Sequence, residues 1–134
     1  GLIFIDVDHF KAVNDEFGHA AGDDVLKSLG DMLRAQTRGA DLPCRFGGEE
    51  FLVVLPNTDA SFANGVAERL RQAVESLQIR HESSTTARHL TVSVGLVTCQ
   101  AHPDQLVDTL LQRVEQALQQ AKSEGRNRVC GMNA

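Results

Sequence analysis

The chain has 134 residues, 42% of them hydrophobic and 23% charged, with a formal net charge of −5. That length and balance fit one globular domain over residues 1–134 with its own apolar core, and they exclude a disordered chain. The acidic balance argues against a nucleic-acid polymer as partner, because phosphate backbones attract broadly basic surfaces.

Leu2 to Ile5 is a continuous apolar run ending at Asp6-Val7-Asp8, the pattern of a buried central strand that delivers acids at its C-terminal end. Asp6 and Asp8 are two apart, so an extended backbone points both to one face. A turn of helix over Phe10 to Asp15 follows, then Gly18 to Gly22 as a helix stop and loop. This places Asp23 or Asp24 in the first turn of a helix whose Val25, Leu26, Leu29, Met32 and Leu33 keep helical spacing. That helix is expected to end near Arg38-Gly39.

Leu42 to Phe46 and Phe51 to Leu55 read as two strands joined through Gly47-Gly48, whose glycines are expected to supply the positive dihedrals of a tight hairpin turn. Phe62, Val66, Leu70, Val74 and Leu77 mark a second amphipathic helix, and His81 to Arg88 a loop or hairpin tip. Leu90 to Thr98 is rich in β-branched residues and reads as a core strand broken only at Gly95. After Pro103 a helix with Leu106, Leu110, Val114, Leu118 and Ala121 on one face runs to Gly125, and Val129 to Met132 forms a final edge strand. The order β-α-α-β-β-α-β-α-β predicts an α/β (α+β) fold: a mixed central sheet with helices mainly on one face, ferredoxin-like or polymerase-palm-like.

Cys44, Cys99 and Cys130 are odd in number and form no C-x-x-C pair, which points to reduced, mostly buried thiols in a cytoplasmic protein. The five histidines show no metal-binding spacing, and there is no phosphate-binding G-x-x-x-x-G-K-[ST] loop. No apolar run approaches the ~20 residues of a membrane span. The chain opens on Gly1-Leu2-Ile3 without an initiator methionine or signal peptide, and so reads as a domain excised from a longer protein.

With the first strand and the hairpin side by side, Asp6, Asp8, Glu49 and Glu50 are expected to converge. Such a cluster repels itself unless divalent cations neutralise it, and its hard oxygens suit Mg²⁺ or Mn²⁺. Magnesium sites commonly use one or two carboxylates and complete their shell with substrate phosphates, so acids at strand ends imply a nucleoside triphosphate and two-metal phosphoryl transfer. Lys11, Lys122 and Arg126 are the cations available for its phosphates.

The run Asp6-x-Asp8-x-Phe10-Lys11-x-Val13-Asn14-Asp15-x-x-Gly18-His19-x-x-Gly22-Asp23, then Gly47-Gly48-Glu49-Glu50-Phe51, then Ala121-Lys122-x-x-Gly125-Arg126-Asn127, resembles the GGDEF-domain diguanylate cyclases over nearly the whole chain. The resemblance implies condensation of two GTP into cyclic di-GMP and two pyrophosphates, with two Mg²⁺ (or Mn²⁺) per half-site and a homodimer of facing half-sites. It assigns Asp6, the carbonyl of Val7 and Glu49 to the metals, with Glu50 as a helper. Asn14 and Asp23 match guanine-reading positions, His19 a position near base or ribose, and Lys11, Lys122 and Arg126 phosphate contacts. Phe10, Gly47 and Gly48 belong to the same substrate-binding motifs. Arg38-Gly39-Ala40-Asp41 resembles the family's R-x-x-D product-inhibition site, supported by Arg69, while Gly65 stands where some relatives place a further arginine.

Members of the family usually carry a helix and an Asp-x-Leu-Thr-Gly-Leu-x-Asn-Arg segment before the first strand, and this sequence begins after that point. The resemblance also implies an upstream sensor or regulatory domain, through which the parent protein can be membrane-anchored. Two other readings share these residues: a module that senses GTP or cyclic di-GMP without turnover, and a cyclase acting on a single nucleotide. The intact acids and cations favour catalysis over the first, and the Gly-Gly-Glu-Glu-Phe turn with R-x-x-D argues against the second.

Overall fold

The computed structural model describes residues 1–81 and 84–133. Its elements run β1 (Leu2–Val7), α1 (Phe10–Phe17), α2 (His19–Gln36), β2 (Leu42–Arg45), β3 (Glu50–Val54), α3 (Ala60–Ser76), β4 (Val92–Thr98), α4 (Val107–Ser123) and β5 (Val129–Asn133), in the order the sequence predicts. The strands form one sheet, β2-β3-β1-β4-β5. All neighbours are antiparallel except β4 and β5, which are parallel and joined by the α4 crossover. The apolar β1 is central because it is buried on both faces.

Alternation along the strands divides the core in two. Ile3, Ile5 and Val7 of β1, with Val53 of β3 and Val92, Val94 and Leu96 of β4, face the apolar sides of α1, α2 and α3. Phe4, Leu52 and Val97 face α4 through Val114 and Leu118. Three helices thus share one face, as expected, and α4 alone covers the other. Each fully buried Leu, Ile or Val contributes about 1.5–3 kcal/mol by leaving water.

Gly95 does not break β4. A Cβ there would stand 2.5 Å from the main-chain nitrogen of Leu118 and the carbonyl of Val114, so the glycine lets α4 lie directly on the sheet. Gly22 likewise differs from expectation: α2 begins at His19, and only Gly18, with φ 89°, acts as the stop. Asp23 therefore sits in the second turn of α2. A Cβ on Gly22 would fall 1.9 Å from Asn14 Oδ1, so its role is close contact between α1 and α2.

Cys130 is buried, but Cys44 is exposed, against the expectation of mostly buried thiols. The 81–88 hairpin tip is closed by an antiparallel bridge between Arg80 and His89, and its Glu82 and Ser83 lie outside the described residues.

Candidate active site

The acids stand where three strand ends meet. Asp6 of β1 lies opposite Glu50 of β3 on one side and Ser93 of β4 on the other. Burial lifts the Asp6 carboxyl above its ordinary pKa, the charges of Glu49 and Asp8 add to the lift, and Lys122 of α4, with Nζ at 2.7 Å, offsets part of it. Burial also raises Glu50, reinforced by Asp6 and Glu49. Asp6, Glu49 and Glu50 thus form a ledge of mutually repelling oxygens that already draws one cation.

Among the described residues no three His, Cys, Asp or Glu side chains gather closely enough to enclose a metal ion. An open ledge of hard oxygens still fits Mg²⁺ or Mn²⁺, which take one or two carboxylates and leave the rest of the shell to phosphate oxygens and water. Asp8 does not join the ledge. It is 2% exposed and points inward, its carboxylate accepting from Ser93 Oγ (2.6 Å), Thr91 Oγ1 (2.7 Å) and Asn127 N (3.1 Å).

The signature loop is a four-residue connection, Phe46 to Glu49, closed by Phe46 N and Gly47 N donating to the Glu50 carbonyl at 2.8 and 3.3 Å. Neither glycine takes a positive φ, which corrects the expected tight turn. An added Cβ on Gly48 would meet nothing within 4 Å, so the main chain there is open to a ligand. Arg45 shapes the loop: its Nε and a terminal nitrogen donate to the carbonyls of Gly47 (3.1 Å) and Gly48 (2.7 Å). Nothing in the sequence pattern distinguishes that arginine from a surface charge.

Beside the loop a cavity of about 310 Å³ is lined by Phe10, Lys11 and Asn14 of α1, His19, Asp23 and Leu26 of α2, and Arg45, Gly48 and Glu49. Six scattered motif residues and Glu49 therefore meet around one space, brought there by the α1–α2 contact at Gly22. Lys122 lies over the ledge instead. Arg126 follows α4, near enough to His9 for its charge to join burial in lowering that imidazole's pKa. A larger hollow of about 670 Å³ beside the start of α4 is mainly apolar and touches none of the predicted site residues.

Arg38, Asp41 and Arg69 also come together, at the other end of the β2–β3 hairpin, roughly 20 Å along the strand from the loop. Arg38 pairs with buried Asp41 at 2.8 Å, donates to Thr58 Oγ1 at 2.9 Å and lies over the Phe62 ring. The Arg38 hydrogen bond holds the Asp41 carboxyl below its ordinary pKa, helped by the Arg69 charge, while Arg69 itself donates to Gln36 O at 2.8 Å.

The family model "Diguanylate cyclase, GGDEF domain" matches residues 1–128. Diguanylate cyclase A of Treponema denticola is 41% identical over 128 residues, which cover 96% of this chain and 34% of that protein, so the chain spans about a third of that relative's length. Among solved structures, the active GGEEF domain of a diguanylate cyclase from Vibrio cholerae superposes with a TM-score of 0.83 at 35% identity, covering 97% of this chain and 80% of that one. The coiled coil and GGDEF domain of DgcB from Caulobacter crescentus, in complex with c-di-GMP, gives a TM-score of 0.84 at 30% identity, covering 98% and 68%. With acids, cavity and signature loop disposed on this palm-like sheet and a family model matching almost end to end, the chain belongs to the GGDEF-domain diguanylate cyclase family.

Proposed function

We propose that this domain joins two GTP into cyclic di-GMP and releases two pyrophosphates. The observation that carries the reading is the position of Glu49, which lines the cavity and also lies close enough to Asp6 and Glu50 to raise both of their pKa values. A nucleotide whose base fills the cavity thereby has its phosphates led to the acid ledge. Asp23 accepts from guanine N1–H and the 2-amino group, and the Asn14 amide complements the same edge. His19 lies toward base or ribose, Phe10 walls the cavity, and the bare backbone of Gly47 and Gly48 lets phosphates approach. Lys11, Lys122 and Arg126 offset phosphate charge.

Asp6, the carbonyl of Val7 and Glu49, with Glu50 assisting, would hold Mg²⁺ or Mn²⁺, two ions per half-site, which supply the charge that activates the 3′-oxygen and stabilises the departing pyrophosphate. One ledge serves one triphosphate while the product holds two guanylates, so two copies face each other, each 3′-oxygen aimed at the other's α-phosphate. We place the domain in the cytoplasm under an upstream regulatory domain; no described helix is long and apolar enough to cross a membrane.

Incubation with GTP and Mg²⁺ should yield cyclic di-GMP by mass, with a rate per domain that rises with protein concentration. A rate flat across a wide dilution series, from a monomer throughout, would favour a single-nucleotide cyclase. The Arg38, Asp41 and Arg69 cluster is the proposed product site and lowers activity as cyclic di-GMP accumulates. Arg38→Ala should therefore progress further before stalling, and progress curves identical to the parent's would reduce the cluster to a structural ion pair.

A further inference from the structure

The turn between α4 and β5 is held in an unusual way. Gly125, Arg126 and Asn127 have φ of 123°, 64° and 43°, three successive positive values of which only the first belongs to a glycine. Residues with side chains take such dihedrals at a cost and keep them only where their surroundings hold them. Two side-chain clamps act on Asn127, and Arg128 Nε adds a bond to the Arg126 carbonyl at 2.9 Å. From the sheet, the buried Asp8 carboxylate accepts from Asn127 N at 3.1 Å, while the hydroxyls of Thr91 and Ser93 fix its two oxygens. From α3, Arg71 donates to Asn127 Oδ1 at 2.8 Å and Asn127 Nδ2 donates to Glu75 Oε2 at 3.2 Å. Arg71 is itself steadied by Glu68 and Glu75. The turn continues the end of α4 that carries Lys122, and Arg126 N donates back to Ala121 O at 3.0 Å.

We infer that Asp8, Asn127 and Arg71 form a brace that sets Lys122 and Arg126 against the phosphates of the substrate, and that Asp8 is a positioning residue and not a metal ligand. The inference rests on the nucleotide-binding reading above, because it takes those two cations to be phosphate contacts. Asp8 has both oxygens committed to donors, which leaves it poorly placed to reach the ledge and well placed to orient a main-chain N–H. The base cavity, built by α1, α2 and the signature loop, does not depend on the brace.

Arg71→Leu tests this, since Arg71 lies on α3 outside both ledge and cavity. Binding of GTP, supplied in its 3′-deoxy form so that no 3′-oxygen can react, and of guanosine would be measured by calorimetry on the 134-residue chain in Mg²⁺, with thermal unfolding as a control for folding. The affinity for GTP should fall about tenfold, as misplaced binding groups do, with guanosine binding unchanged and Arg71→Lys recovering part of the loss through its one donor nitrogen. Asn127→Gly keeps the left-handed backbone while removing the side-chain clamp, and should show the same GTP-selective loss; it carries the comparison if Arg71→Leu does not fold. Equal losses for the two ligands, or unchanged GTP affinity in the variants, overturn the brace. A parent chain that binds neither ligand refutes the nucleotide site itself, and the inference with it.

Discussion

Glu49→Gln should lower turnover by roughly 10³-fold or more, because it removes a charge required only when metal and triphosphate are bound. The same change should leave thermal stability equal or slightly raised. Glu49 supports the fold through its main chain, its carbonyl accepting from Val7 N at 3.2 Å, and a glutamine keeps that bond. Its charge, meanwhile, raises the pKa of both Asp6 and Glu50, so neutralising it relieves the ledge. Pyrophosphate release at saturating GTP and a melting curve measure the two effects. Activity within a few-fold of the parent would remove Glu49 from the metal site, and lost activity with lost stability would assign it a folding role instead.

Asp23→Ala should act on selectivity. Losing hydrogen bonds from a charged acceptor to guanine should raise KM for GTP about tenfold to a hundredfold. The ratio of kcat/KM for GTP over ATP should fall by a similar factor, since ATP lacks the donor pair that Asp23 accepts from. Asp23 is exposed on the second turn of α2, where alanine is a good helix former, so folding should not suffer. Competition between the two nucleotides reads the effect directly. An unchanged ratio would take Asp23 out of base recognition.

Much of this was legible in the sequence, and the gaps have physical causes. Apolar runs and period-3.6 patterns placed most of the elements, because each has one apolar face or, in β1 and β4, two, while the largely exposed β2 could be placed only as the partner of β3 across Gly47-Gly48. The acids at the end of β1 and after Gly48 could be located because both follow from strand ends and a loop. Glycine was harder to read: the letter does not say whether a position needs a positive φ, as at Gly18 and Gly125, or space for a neighbour, as at Gly22 and Gly95. Asp8 misled for a related reason. Alternation gives the face of a side chain, but its partners Thr91, Ser93 and Asn127 come from distant sequence, so the difference between a ledge acid and a buried anchor emerges only when β4 and the α4–β5 turn are in place. Arg45 and Arg71 were invisible as more than surface charge until the carbonyls and amide they bind were located.

Within the sheet, the central strand is also the first to be made. Leu2 pairs with Val54 on one edge of β1 and with Val97 on the other, so a ribosome adding ~5–20 residues per second leaves this apolar segment without its second partner for on the order of 5–20 s. Closing such distant pairs makes folding slow compared with a helical domain of the same size. During that interval β1 keeps one edge of unpaired main-chain groups open to pairing with another chain. Asp6 and Asp8, at its end, then act as charged gatekeepers against self-association, a task finished before either residue takes its place in the folded domain.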